Sequence, residues 1–342
     1  MEKKYKYKAK SKFFIPKVDF TEDYESFSDK VSWAIKDLKI ENLWQKTLGK
    51  NVVVWVMDSG VDVSHVDLNV NKSYYFSKDG DKPGNHGTHV AGILNGRHNG
   101  DGVKGICPES LLNNVKVLDS TGNGVSASFI KGAKLIKDSI SQYPPEYRHI
   151  INISAGSKKE DKEFYKILKE LDSKGVLIIC AGGNSGQNTE LSYPAKWDFS
   201  VAVGFSNERE EIDLDSSSGV DISAPGVDVE STIVGSKYAT YSGSSMAAPF
   251  VSGLCALILS YFPFLTTEQV WTALKETAKD LKSKGYDKYS GHGLVQPEEA
   301  FIFCEINFSN LNKIKLIQNK ILNIENDLNY IKKIIEDFKN GQ

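Results

Sequence analysis

Three short stretches place a reactive side chain among glycines: Asp58 in MDSG, His86 in NHGTHVAG and Ser245 in GSSMAAP. A carboxylate, an imidazole and a hydroxyl are the parts of an acyl-transfer relay. The hydroxyl attacks, the imidazole takes its proton, and the carboxylate fixes the imidazole tautomer. Taken singly each residue is commonplace, and a serine at a helix start is most often an N-cap. Their settings carry the argument. Asp58 follows NVVVWVM (51–57), a continuous apolar run of the kind buried on both faces of a parallel sheet. In open α/β folds reactive residues collect at the carboxyl ends of such strands. His86 opens a helical pattern. Ser245 stands at the mouth of TYSGSSMAAPFVSGLCALIL (240–259), apolar all round and so read as a buried helix, with Pro249 expected in its first turn. Backbone N–H groups and the dipole at that end favour a developing anion.

The elements that must position these residues alternate. Strands are expected at 51–57, 111–118, 149–154 and 176–181, and helices after His86, over 127–140, over 164–171, from Ser245 and over 267–278. Short helices fit 31–48. The pattern predicts an α/β fold, a doubly wound, mostly parallel sheet flanked by helices. Beyond it, Ile314, Ile317, Ile321, Ile324, Leu328, Ile331, Ile335 and Phe338 recur at spacings of three and four. That is the heptad of an amphipathic or coiled-coil helix, read either as self-associating or as packed back on its own domain. At the other end, MEKKYKYKAKSK is a lysine-rich arm followed by the apolar FFIPK (13–17). The resulting division is an N-terminal extension (1–30), a main domain (31–302) and a C-terminal heptad helix (303–342).

The chain of 342 residues carries a net charge of −2, which gives no global pull toward nucleic acid or a membrane surface. No segment is read as reaching the length of a membrane span, and the arm holds no signal-type apolar run. The four cysteines, Cys107, Cys180, Cys255 and Cys304, fit no CxxC spacing. A reduced, cytoplasmic setting is the expectation.

The motifs around Asp58, His86 and Ser245, with GVKGICP (102–108), KVLDSTGNG (116–124), NISAG (152–156), CAGGNSG (180–186), YPA (193–195) and SAPG (223–226), resemble the subtilisin-type serine proteases, the subtilases. They occur in family order over about 33–302. The resemblance implies a serine endopeptidase with Ser245 as nucleophile, His86 as general acid/base and Asp58 as the orienting carboxylate. It also implies Asn184 as the side-chain donor of the oxyanion hole and Ser154-Ala155-Gly156 as the substrate-pairing strand. Here Ala155 stands where leucine is usual, and Ser244 where threonine is usual. His89 is expected to be structural. Family members often bind calcium, with Asp67, Asn99 and Asp29 as the matching ligands; oxygen donors suit that ion rather than zinc. The chain is most similar to the intracellular subgroup, whose short extension carries a Leu-Ile-Pro-Tyr motif over the active site. Phe14-Ile15-Pro16-Lys17 is similar, and it implies an extension that restrains the enzyme.

Two functional classes follow. One is an active endopeptidase acting on protein or peptide substrates, cytoplasmic and restrained by its arm. The other is a restrained or inactive peptide-binding protein recruited through its C-terminal helix. In either case residues 311–338 would serve a homo-oligomer or a partner protein, with no nucleic acid or membrane partner. An α/β-hydrolase esterase is disfavoured, because no GxSxG surrounds Ser245 and the order Asp, His, Ser differs.

Overall fold

The computed structural model describes residues 11–20 and 30–339. Its elements run β1 (Lys12–Phe14), β2 (Asp19–Phe20), α1 (Trp33–Asp37), α2 (Ile40–Trp44), β3 (Val52–Asp58), β4 (Val70–Tyr75), α3 (Asn85–Asn95), β5 (Leu111–Lys116), β6 (Asn123–Val125) and α4 (Ser126–Ser139). There follow β7 (Arg148–Ile153), α5 (Lys162–Ser173), β8 (Leu177–Ala181), β9 (Val201–Ser206), β10 (Ile222–Pro225), β11 (Val229–Ile233), β12 (Lys237–Ser242), α6 (Ser244–Tyr261), α7 (Thr267–Thr277) and α8 (Pro297–Lys339).

The expected α/β architecture is present: seven strands in the order β10-β9-β8-β7-β3-β5-β4, every neighbouring pair parallel. All seven residues of β3 are buried, because side chains of a central parallel strand alternate between two covered faces. Val52, Val54 and Val56 pack with α3 and α6, while Val53, Trp55 and Met57 pack with Phe129, Ala133 and Ile136 of α4 and with Phe164 and Leu168 of α5. The chain leaves β3 toward β5 and β4 on one side, then returns to build β7 through β10 on the other. The carboxyl ends of β3 and β7 therefore flank the topological switch point, where open sheets form their crevice.

Three expectations change. The chain does contain a helix long and apolar enough to cross a bilayer, α6. Every residue of it from Ser244 to Leu259 is buried against the sheet, so length and composition alone misread a core helix. Pro249 is the sixth residue of α6, in its second turn, rather than in the first. Its missing N–H leaves the Ser245 carbonyl, four residues back, without its helical donor. The Ser154 hydroxyl supplies one, at 3.0 Å. The division at 302/303 falls inside a single helix, since α8 starts at Pro297 and packs Ala300, Phe301 and Cys304 into the core.

Candidate active site

Asp58 ends β3 and His86 is the second residue of α3. The His86 Nδ1 lies 2.9 and 3.1 Å from the two carboxylate oxygens of Asp58. Oδ1 also accepts from the Ser59 N–H at 2.6 Å, which fixes the carboxylate plane. A carboxylate accepts only, so Nδ1 carries the proton and Nε2 presents its lone pair. Nε2 is buried and has no hydrogen-bond partner among the described residues. The close approach of α3 to β3 demands Gly87, where a Cβ would meet the Gly60 carbonyl at 2.6 Å.

Ser245 enters α6 directly after Gly243 and Ser244. Gly243 has φ 147°, and a Cβ there would strike the Asn184 amide nitrogen at 2.3 Å. Asn184 is held from the same turn: its Oδ1 accepts from the Ser244 N–H at 2.9 Å and from the Ser244 hydroxyl at 2.6 Å. Ser244 Oγ in turn accepts from the Gly183 N–H at 3.0 Å. The Ser244 N–H and hydroxyl together thus hold Oδ1 and aim the Asn184 N–H pair outward. The Ser245 hydroxyl itself donates to the Ser154 carbonyl, at 3.3 Å, rather than to His86. The structure joins Asp58 to His86, Asn184 to the mouth of α6 and Ser245 to Ser154. It does not close the Ser245–His86 hydrogen bond.

The arm occupies the cleft beside these residues. β1 pairs antiparallel with β6, with Lys12 opposite Val125 and Phe14 opposite Asn123. On its other edge Phe14 exchanges both backbone bonds with Gly156, at 3.0 Å each. Ile15 N–H donates to the Gly122 carbonyl at 3.1 Å. An extended peptide therefore lies as the middle strand between β6 and the segment Ser154-Ala155-Gly156. Two residues after Phe14 the arm reaches Pro16, which has no N–H to give to a pairing strand; the Ser154 carbonyl accepts from the Ser245 hydroxyl. Pro16 borders both the pocket lined by His86 and the one lined by Gly156 and Asn184. One residue on, the Lys17 carbonyl accepts from Asn184 Nδ2 at 2.7 Å.

Sequence reading missed three contributors. Phe13 is 2% exposed, stacked on Phe129 at 3.9 Å and edge-on to Phe164 at 5.7 Å, and so seats the arm. Its signal was the apolar pair FF ahead of IP. β6 forms the second wall of the cleft. Lys116 is fully buried; its ammonium donates to the carbonyls of Ser59 and Leu118 at 2.6 and 2.9 Å and pairs with Asp79 at 3.2 Å. A lysine at the end of a buried strand, LLNNVK, was the clue. His89 stands apart from the site: it bonds the Ala239 carbonyl at 3.0 Å and stacks on Tyr241, and burial pushes its pKa down to about 3.

Of the calcium ligands expected, Asp29 lies outside the described residues. Asp67 is fully buried and takes the Val103 N–H on Oδ2 at 2.8 Å, while its own carbonyl accepts from Arg97 N–H at 2.9 Å. Asn99, exposed, accepts the Asp101 N–H at 3.1 Å. A loop wrapped on a buried carboxylate offers oxygen donors of the right chemistry for a hard cation, although no group of three or more His, Cys, Asp or Glu side chains gathers among the described residues.

A parallel sheet bearing an Asp–His pair, a serine at a buried helix mouth and an amide donor facing an extended peptide defines a protein of the serine-hydrolase class. The subtilase family model matches residues 49–293, and the chain belongs to that family of serine endopeptidases. It is 39% identical to the subtilisin of Bacillus pumilus over 280 residues, 79% of this chain and 98% of that one. Subtilisin E of Bacillus subtilis is 37% identical over 298 residues, 83% of this chain and 76% of the relative. The minor extracellular protease Epr of the same organism is 34% identical over 285 residues; the match covers 81% of this chain but only 42% of that longer protein.

Proposed function

We propose that this chain hydrolyses peptide bonds through an acyl-enzyme on Ser245 and is held inactive by its own N-terminal extension. Ser245 Oγ attacks the carbonyl carbon while His86 Nε2 takes its proton. Asp58 stabilises the imidazolium, and the Asn184 amide with the Ser245 N–H receives the oxyanion. His86 returns the proton to the leaving amine, and water then repeats the sequence in reverse. Ser154 to Gly156 and Gly122 to Val125 hold an extended substrate between them.

The observation that carries this reading is the arm itself. A stretch of polypeptide lies in the cleft as a strand, with a carbonyl on the Asn184 amide. Restraint follows from the same contacts. The Lys17 carbonyl occupies the Asn184 donor, Pro16 offers no N–H, and the attacking hydroxyl is bonded to the Ser154 carbonyl rather than to His86. The four cysteines are free and buried, which supports a reduced, cytoplasmic setting. A structural calcium held by Asp67 and Asn99 would stiffen the 97–103 loop and takes no part in the chemistry. Residues 311–338 serve as an association helix, for further copies of the chain or for a partner protein.

A fluorophosphonate probe tests the central claim. It should label the arm-truncated chain and not the Ser245→Ala form, and the truncated chain should cleave an unfolded protein. A truncated chain that binds peptides, yet is neither labelled nor active, would establish the peptide-binding alternative.

A further inference from the structure

Beyond the body, α8 carries a stripe that no described residue covers. Ile314, Ile321, Leu328 and Ile335 are 55, 50, 49 and 49% exposed, and Ile324 and Ile331 are 58 and 51% exposed. In heptad letters the first four are a positions. Residues 317, 324, 331 and 338 are d positions, where the sequence has Ile, Ile, Ile and Phe. A lone helix in water gains little from its own hydrogen bonds, and most helical stability comes from packing an apolar face. A stripe of this length on a soluble chain marks an interaction surface.

We propose that residues 314–338 assemble with further copies of this chain into a parallel, in-register coiled coil of three or more strands. The inference rests on reading 311–338 as an association helix, and it specifies the partner, the direction and the number. Charge complementarity argues for a second copy. The g positions 320 and 327 are Lys and Asp, and the e positions 325 and 332 are Glu and Lys. A parallel, in-register pair sets each g position against the e position five residues on in its neighbour. Lys320 then meets Glu325, and Asp327 meets Lys332. A fully overlapped antiparallel pair sets g against g and e against e. That alignment brings Asp327 against Asp327 and Glu325 against Glu325, which is repulsive. The number follows from branching. Ile fills three of four a positions and three of four d positions, a pattern that shifts preference from dimers to trimers and tetramers. Ile334, at a g position and 37% exposed, widens the apolar face in the last heptad as a larger bundle requires. At 1.5 Å per residue the rod is about 37 Å long, with all the catalytic bodies at the Pro297 end.

Sedimentation of the full-length Ser245→Ala chain, which cannot shorten itself, tests this. Three or four times the chain mass is expected, and Ile321→Asp with Leu328→Asp should give the monomer. Lys320→Glu with Asp327→Lys should weaken association by about tenfold or more, since two attractive pairs at each interface turn repulsive. Adding Glu325→Lys and Lys332→Glu should restore it. A monomeric full-length chain at its highest soluble concentration would overturn self-association altogether. A dimer, or an assembly indifferent to reversal of one edge, would overturn the parallel bundle while leaving the tail an association helix.

Discussion

Phe13→Ala is the most direct perturbation of the proposed restraint. The side chain is 2% exposed, stacked on Phe129 at 3.9 Å and edge-on to Phe164 at 5.7 Å. It is the arm's principal apolar contact with the body, whereas the bonds of Phe14 and Ile15 to Gly156 and Gly122 are ones that any extended peptide can make. Truncation to alanine removes about 2–3 kcal/mol of apolar burial and ring packing from the docked state. Since 1.4 kcal/mol is tenfold, the arm should dissociate about 30- to 150-fold more readily. The assay is kcat/KM on a short chromogenic peptide for the full chain, the Phe13→Ala chain and a chain lacking residues 1–20. The full chain should be slowest and the truncated chain fastest, with Phe13→Ala raised toward the latter. A synthetic peptide of residues 11–20 should inhibit the truncated chain, and its Phe13→Ala form should require a concentration higher by the same factor. Equal rates for the three chains, or a peptide that does not inhibit, would refute the reasoning.

Lys116→Met should be costly. It strips donors from the Ser59 and Leu118 carbonyls and takes from Asp79 its ion pair, leaving it only the Ser77 hydroxyl and Ser120 N–H, a loss of about 3–5 kcal/mol that calorimetry would read as a Tm lower by on the order of 10 °C. Because Ser59 adjoins Asp58, kcat should fall as well. An unchanged Tm would contradict the role assigned to that ammonium. Burial pushes the Asp221 carboxyl from 3.8 up to about 6, so as pH rises the unfolded chain releases this proton first. Its contribution is neutral below the unfolded value and becomes a cost through the interval up to the folded one. Asp221→Asn, whose Oδ1 can still accept the Ala202 N–H, should therefore be more stable than the parent at about pH 8 and no different near pH 3. The gap is at most about 3 kcal/mol, reduced to about 1 by partial solvent access. Chelation with EGTA should lower Tm, calcium should restore it, and Asp67→Asn should abolish both responses.

Much of the site was legible in order and type. The apolar run ending at Asp58, the glycines around His86 and the small residues before Ser245 are each forced by local physics: a strand buried on both faces, a helix pressed on a strand, a helix mouth beneath an amide. The glycine at 243 is a backbone requirement that leaves its mark in sequence. Phe13, β6 and Lys116 were harder to see, because their importance comes from what lies opposite them. A phenylalanine in an arm looks like any apolar residue until Phe129 is found beneath it. The expectation for Pro249 failed for a similar reason. Helix rules place proline in the first turn unless something else supplies a donor to the freed carbonyl, and that donor, Ser154, lies 91 residues away.

The sequence by itself determined the kinds of groups and the alternation that builds a parallel sheet, since both follow from side-chain chemistry and from periods of 2 and 3.6 residues. Tertiary structure alone decided that the arm lies between β6 and Gly156, that Ser245 Oγ faces Ser154 rather than His86, and that no described residue covers the stripe on α8. These are pairings between residues far apart in the chain. They depend on which backbone donors and acceptors remain unpaired once the sheet has closed, and no local pattern encodes that.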